Sequence, residues 1–368
     1  MEGGDLVLVE RTDHRLTTTT KERTMSADRG ITEDQLYRIM YGSIAFEMLH
    51  AASELGVFDH LGRNPGSSTQ DIATALGIAP YPCDILLTGL RGLELVLGDE
   101  TRMTNAPLVE QCFVKGEDGK HLPFIHEIVN PGMSEFIDSV RQATNLGLRH
   151  FPGDGTSLYS RLESDPDKLR SLHEHLRATS EATLADLVAT GALDNTRHLL
   201  DIGGGTATNA IPLANHYPDL RITLVDLENV VEAAARAIDS HGLSDRIDVL
   251  ACDVFNDPLP VGADTALLAH MLPIWSPEAN RELLSKVYDA LPDNGQALLF
   301  DPLQNDERDG PDYAILFPAY YLTIASGRGT FYPWSTYEQW MREAGFSGFQ
   351  RFEGLAVAHG LHVGTKQR

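Results

Sequence analysis

From about residue 194 onward, short apolar runs alternate with amphipathic helical stretches. RHLLDIG, RITLVDL, RIDVLACDV, TALLAHML and QALLFDPL read as strands, and NAIPLANHY, NVVEAAARAIDSHG and SPEANRELLSKVYDALP as the helices separating most of them. Strands connected by helices of this length pair in parallel, because a parallel connection needs a crossover that climbs back over the sheet. Right-handed crossovers gather the strand carboxyl ends on one edge, where a ligand crevice opens. The expectation is an α/β fold, a Rossmann-like doubly wound sheet, completed by a helix in STYEQWMREAGF and short strands in FQRFEGL and GLHVGTK.

HLLDIGGGTATNA is the most informative stretch. Gly203, Gly204 and Gly205 follow a strand at once and open a helix, so the backbone can turn sharply and approach a ligand with no side chain between. Asp226 closes the next strand, where a carboxylate can accept both hydroxyls of a ribose. Asp253 closes the following one, in ACDVF, where it can face an adenine amino group with Val254 against the ring. Two nucleoside cofactors compete for such a loop. A dinucleotide needs a third glycine for close helix packing beside its pyrophosphate, and that position is Thr208. S-adenosyl-L-methionine has no phosphate, and Asp201, just ahead of the glycines, suits its ammonium.

Residues 31–190 are mostly helical in pattern and form the expected first domain, ahead of a cofactor-binding domain over 191–368. Leu36, Ile39, Met40, Ile44, Phe46, Met48, Leu49, Ala52 and Leu55 recur at helical spacing on a broad apolar surface that needs a partner, either intrachain core or a dimer interface. Thr69 is expected to cap a short helix and Pro80 and Pro82 to open another, followed by a hairpin turning at Gly98 and Asp99; helix, turn, helix, hairpin is a winged-helix arrangement. Charge argues against DNA binding: the second helix offers one arginine, and the chain carries a net charge of -24, which repels phosphate backbones and anionic membranes alike. Cys83, Cys112 and Cys252 show neither CxxC nor zinc spacing, so a reducing, cytoplasmic setting without a structural metal is expected. No stretch approaches the roughly 18 unbroken apolar residues of a membrane span. Residues 1–30 are polar and read as a disordered leader without a secretory core.

The chain from residue 31 resembles the class I S-adenosylmethionine methyltransferases, and within them the plant-like small-molecule O-methyltransferases with bacterial natural-product relatives. LLDIGGGTATNA, LVDL, CDVF, LLAHMLPIW, LPDNGQALLFDPL and WSTYEQWMREAGF carry the resemblance. It implies that Gly203, Gly204 and Gly205 form the cofactor loop, that Asp226 with Leu227 beside it holds the ribose, and that Asp253 and Val254 contact adenine. It further implies a homodimer whose N-terminal helices intertwine, acting on a small molecule in secondary metabolism.

One departure bears on the chemistry. In the family the strand matching LLAHMLPIW carries a lysine and, four residues on, a histidine followed by aspartate and tryptophan, and the histidine takes the acceptor's proton. Here those positions are Ala269, Pro273 and Ile274, with Trp275 kept. Proline has no proton acceptor in its ring, so base catalysis from this position is impossible. His270, Asp301 and His150 are the remaining catalytic candidates, Asp301 matching a strand-end carboxylate that flanks the family's reacting centre; His270 also reads as a cofactor-facing residue. His126, Tyr159, Tyr320, Tyr321 and Trp334 are candidates for the acceptor pocket. The sulfonium is already an activated electrophile, so holding it in line with the nucleophile supplies much of the rate, and a base adds roughly 10²- to 10⁴-fold. Loss of the base leaves O-methylation of a phenol by another residue slightly ahead, C-methylation of a ring or enol carbon next, and N-methylation third; a protein that binds the cofactor for another purpose, or is inactive, is a further reading. From a different class, a winged-helix regulator sensing a metabolite is the alternative.

Overall fold

The computed structural model describes residues 30–162 and 164–368; apart from Gly30, the leader expected over 1–30 lies outside the described residues. The chain divides into two compact units, one ending at Phe46 and one spanning Glu47–Arg368. In the first, the helix Glu33–Met40 starts as its sequence suggests: Thr32 and Gln35 exchange side-chain-to-backbone bonds in a capping box. Ile31, Leu36, Tyr37, Ile39 and Met40 all stand exposed. The single helix expected to run on to Leu55 is broken at Tyr41, whose backbone leaves helical geometry, and resumes as Gly42–Glu54 and Val57–Arg63.

Two further helices, Thr69–Leu76 and Pro80–Gly92, precede an antiparallel hairpin of β1 (Val96–Asp99) and β2 (Arg102–Asn105). Two local expectations need correction. Ser68, not Thr69, caps the first helix, accepting from the Asp71 N–H while Asp71 accepts back. The hairpin turns at Glu100 and Thr101, not at Gly98 and Asp99, because the Asp99 carboxylate accepts from both the N–H and the hydroxyl of Thr101 and closes the turn there. Gly98 is needed one step earlier: at φ 103° it lies so close to the Arg102 carbonyl that a Cβ would sit 2.0 Å away.

Among the described residues the large sheet has seven strands: β3 (His198–Ile202), β4 (Arg221–Asp226), β5 (Ile247–Ala251), β6 (Thr265–Ala269), β7 (Gln296–Pro302), β8 (Ser347–Phe352) and β9 (His359–Thr365). Their order is β5-β4-β3-β6-β7-β9-β8, parallel except that β9 runs antiparallel to both β7 and β8. The strands read as continuous apolar runs because both faces are covered. Leu200, Ala266, Leu268, Ala297 and Leu299 pack toward Leu283, Val287, Tyr337 and Trp340 on one side. Leu199, Leu267, Ala269, Leu298 and Phe300 pack toward Leu187, Ala210, Leu213 and Ala234 on the other. Truncating a buried leucine in such a strand to alanine costs about 2–5 kcal/mol. Strand order reverses between β3 and β6, and at that switch point the carboxyl ends diverge into a crevice.

Candidate active site

The glycine loop begins where β3 ends. Gly203 and Gly205 take φ 71° and 57°, in the left-handed region that glycine enters without steric cost. Gly204 is small for another reason: a Cβ there would meet Leu224 at 2.5 Å and the Asp201 carboxylate at 2.7 Å. Among the described residues nothing lies within 4 Å of the corresponding point on Gly205, so its side-chain direction is open. Its N–H donates to Asp226 Oδ2 at 2.8 Å. Asp226 Oδ1 accepts from the Leu227 N–H at 2.7 Å, and Leu227 itself is exposed. Each carboxylate oxygen retains a lone pair for a further donor.

Asp201 is buried, and its Oδ2 accepts no hydrogen bond among the described residues. Burial and, second, the nearby Asp226 charge push its pKa up to about 7. A buried carboxylate oxygen without a donor is a place for a cationic one, and an ammonium fits it. Asp253 lies two residues past the end of β5 rather than closing the strand. The Asn256 side chain and the Phe255 N–H donate to it, and these bonds hold its pKa below the usual carboxylate range. Val254 is buried and packs into the core beneath. The loop, the unpaired acceptor and the three strand-end carboxylates together fit an amino-acid-bearing nucleoside.

At the end of β6 the chain does something unusual. His270 takes φ 57°, a left-handed conformation that costs a non-glycine residue on the order of 1–3 kcal/mol. Strand alternation would send its ring to the side of Leu268; instead the ring lies beside Phe300 and contacts His359, Nε2 to Nε2, at 2.7 Å. Burial and then His359 pull the His270 pKa down to about 3. The next residue, Met271, covers Gly203, its sulfur 2.8 Å from where a Cβ would stand. Pro273 is buried in the 3₁₀ turn Leu272–Ile274. Asp301 is a buried β7 residue, paired in register with Gly360. Among the described residues its Oδ1 accepts no hydrogen bond, Tyr337 donates to Oδ2 at 3.5 Å, and burial raises its pKa well above the ordinary value.

Phe124, Tyr313, Phe317, Tyr320, Tyr321 and Phe331 form a cluster of aromatic rings, with Tyr159 packed against it. Burial lifts Tyr159 to about 12, and Tyr320 and Tyr321 rise for the same reason, so their hydroxyls keep their protons. His175, on the long helix Pro166–Ala189, stacks on Phe124 with centroids 4.2 Å apart, meets His121 Nδ1 to Nδ1 at 2.9 Å, and feels His270 electrostatically. A cavity of about 310 Å³ bounded by Leu169, Arg170, His173 and Arg177 of the same helix reaches the glycine loop at Thr206.

The other residues singled out from the sequence lie apart from this cluster. Trp334 packs on the opposite side of β9, against His362 and so close to Gly360 that a Cβ there would sit 2.3 Å from the indole. His126 is exposed and paired with Glu47 at 3.0 Å, beside His50. His150 faces Glu135 and Ser134 near the surface. Sequence reasoning missed His121, His175 and His359, whose roles come from pairings between distant segments. The one available signal was the spacing of His359 and His362 in β9: an odd separation puts them on opposite faces.

Residues 134–347 match the O-methyltransferase domain and residues 37–112 the O-methyltransferase dimerisation domain. The chain is 35% identical over 336 residues to the L-tyrosine C(3)-methyltransferase of Streptomyces lavendulae, covering 89% of this chain and 91% of that one. It is 31% identical over 325 residues to the 3-hydroxy-5-methyl-1-naphthoate 3-O-methyltransferase of Streptomyces sahachiroi, covering 87% and 91%. Among solved structures, the S-adenosylmethionine-dependent methyltransferase SibL in its apo form superposes with a TM-score of 0.84 at 34% identity, over 91% of this chain and 99% of that one. With its glycine loop, strand-end carboxylates and dimerisation segment, the chain belongs to the S-adenosylmethionine-dependent O-methyltransferase family.

Proposed function

We propose that this methyltransferase acts on a small phenol-bearing aromatic molecule of tyrosine-like size and methylates the ring carbon beside the hydroxyl. The observation that carries the reading is a buried aromatic cluster of Tyr159, Phe317, Tyr320, Tyr321 and Phe331, with Ile274 packed against it, next to a proline at the position where the family keeps its base. The relative acting on L-tyrosine at C(3) supports it. O-methylation of the same phenol, slightly ahead on sequence alone, is the second reading, favoured by the naphthoate 3-O-methyltransferase relative.

When bound, S-adenosyl-L-methionine supplies a methyl group already activated on a sulfonium. Gly203, Gly204 and Gly205 would let the backbone approach it, Asp201 would take its ammonium, Asp226 with Leu227 beside it would hold its ribose, and Asp253 with Val254 would hold its adenine. The aromatic walls exclude water and hold the acceptor ring near the cofactor, which supplies the rate gained from orientation. Their tyrosine hydroxyls stay protonated and serve as hydrogen-bond donors rather than bases. Asp301, pushed toward its protonated form, is likewise a donor in this arrangement. The proton acceptor left beside the crevice is His270.

In the same reading, residues 31–190 form the dimerisation part, with its winged helix, and 191–368 the catalytic part of a cytoplasmic homodimer; the free Cys83, Cys112 and Cys252 are consistent with that location. Among the described residues no single helix is long and apolar enough to cross a membrane.

Incubation with methyl-labelled cofactor and a panel of phenolic amino acids and phenolic acids, followed by locating the label, tests the proposal. Label on a ring carbon is the expected result. Label only on nitrogen, or on no phenol while calorimetry shows the cofactor bound, would overturn it.

A further inference from the structure

We infer that His359 is a positioning residue that sets the tautomer of His270 and leaves His270 Nδ1 as the hydrogen-bond acceptor for the substrate's phenol hydroxyl. The inference rests on the functional reading above and deepens it.

The proton positions follow from the partners. His359 Nδ1 lies 2.9 Å from the Val357 carbonyl and 3.1 Å from that of Ala356. Carbonyls only accept, so Nδ1 carries the hydrogen and a neutral His359 offers a lone pair at Nε2. That lone pair meets His270 Nε2 at 2.7 Å, so His270 donates from Nε2 and its Nδ1 is bare. Both rings are neutral: burial above all pulls His270 down to about 3 and His359 to about 4. A neutral, weakly basic ring suits a hydrogen bond to a phenol better than its outright deprotonation.

The backbone is bent to make this contact. His270, Val357 and Ala358 all take left-handed φ values, 57°, 52° and 59°, although none is glycine. Strain of this kind concentrates where a structure over-determines a geometry for use. The strained pair Val357–Ala358 leads directly into His359, which is 2% exposed at the head of β9. His270 stands between the two halves of the reaction. Met271 next to it covers the glycine loop, and His175, within its electrostatic reach, stacks on Phe124 of the aromatic cluster.

A phenol donating to Nδ1 gains electron density at its ortho carbon. As methyl passes to that carbon, the sulfur–carbon bond breaks, a carbon–carbon bond forms and the phenolic proton moves to Nδ1. His359 accepts the stronger bond from the resulting imidazolium. The ring C–H proton then leaves to water, the imidazolium returns its proton to oxygen, and one proton is released per turnover.

The test combines ring-nitrogen NMR of histidine-labelled protein with kinetics of two variants. In the wild type, His270 should show a protonated Nε2 and a bare Nδ1. His359→Phe should lower kcat by about 10- to 100-fold, at or below the lower end of the roughly 10²- to 10⁴-fold that a positioned proton acceptor supplies because the variant keeps His270 itself, while cofactor affinity by calorimetry stays unchanged. His359→Gln, whose amide oxygen can accept where the imidazole did, should recover most of that loss. A wild-type His270 protonated on Nδ1, or kcat in His359→Phe within about twofold of wild type, overturns the inference. Should His359→Phe not fold, a His359→Gln enzyme with the wild-type tautomer and near-wild-type kcat supports it, and one with the tautomer kept but kcat lost overturns it. A wild-type enzyme that labels no phenol overturns the functional reading; the NMR tautomer is measured without acceptor, so the two failures are distinguishable.

Discussion

Asp226 and Asp201 place two carboxylates beside one glycine loop with unequal support: Asp226 accepts from the Gly205 and Leu227 N–H groups, whereas Asp201 Oδ2 accepts from none among the described residues. The charge on the first adds to the burial that keeps a proton on the second. A cationic group placed at Asp201 Oδ2 would relieve this arrangement.

Asp201→Asn should therefore separate stability from binding. The Asp201 pKa rises from 3.8 to about 7 on folding. Between those values the unfolded chain has lost the proton and the folded protein keeps it, so the unfolded state binds fewer protons and stability falls as pH rises through that window. The asparagine variant has no charge to bury. Its ligand-free Tm should exceed wild type at pH 7 and above, with the difference shrinking toward pH 4, while its cofactor affinity drops. In wild type, affinity should climb from pH 6 to pH 8 as the carboxylate ionises. A variant no more stable than wild type at pH 8 contradicts the burial argument.

Asp226→Ala removes the acceptor of the Gly205 N–H along with the proposed ribose ligand. Lost charge-assisted hydrogen bonds at about 1.5–3 kcal/mol each predict at least about a 100-fold weaker cofactor Kd by calorimetry. Retained affinity refutes the ribose assignment.

Pro273→His restores an imidazole at the family's base position. The turn that holds it is fixed from outside, since a Cβ on Gly329 would sit 2.1 Å from the Pro273 carbonyl oxygen. We expect the fraction of methyl delivered to oxygen to rise, and the rate to acquire a limb near the ordinary histidine pKa of about 6.5. Product analysis by NMR across pH decides; an unchanged carbon-to-oxygen ratio and pH profile mean that this position does not face the acceptor.

Ile39→Asp tests the exposed face of the first helix. Ile39 is 70% exposed and flanked by Leu36, Tyr37 and Met40, all exposed as well, a contiguous apolar surface of the kind that marks an association site. Wild type should sediment as a dimer, and the variant should shift toward monomer at micromolar concentration. A variant that remains fully dimeric removes this face from the interface.

Much of the fold was legible because periodicity and turn chemistry act locally. The buried strands announced themselves as apolar runs such as TALLAHML, and Gly203 to Gly205 marked the crevice. The cap at Ser68 and the turn at Glu100 and Thr101 were missed by one or two residues, because the choice among neighbouring Ser, Thr and Asp side chains depends on which N–H each can reach. The catalytic side of the site was much less readable. Pro273 declared what is absent, but His359 enters through a register that pairs it with Pro302 across β7 and β9, and His121 meets His175 from a separate segment. Pairings between residues far apart in the chain leave no local pattern. Left-handed backbone at His270 reverses the face that alternation assigns to it, so even a correct strand assignment points its ring the wrong way.

β9 carries His359 on one face and His362, packed on Trp334, on the other. A one-residue insertion or deletion in the segment between them would rotate one histidine out of its socket whichever end stayed anchored. This strand can therefore drift in composition far more easily than in length. Gaps among related enzymes should fall in the surface connections around it, and a variant with a gap here is one in which the chemistry has been rebuilt.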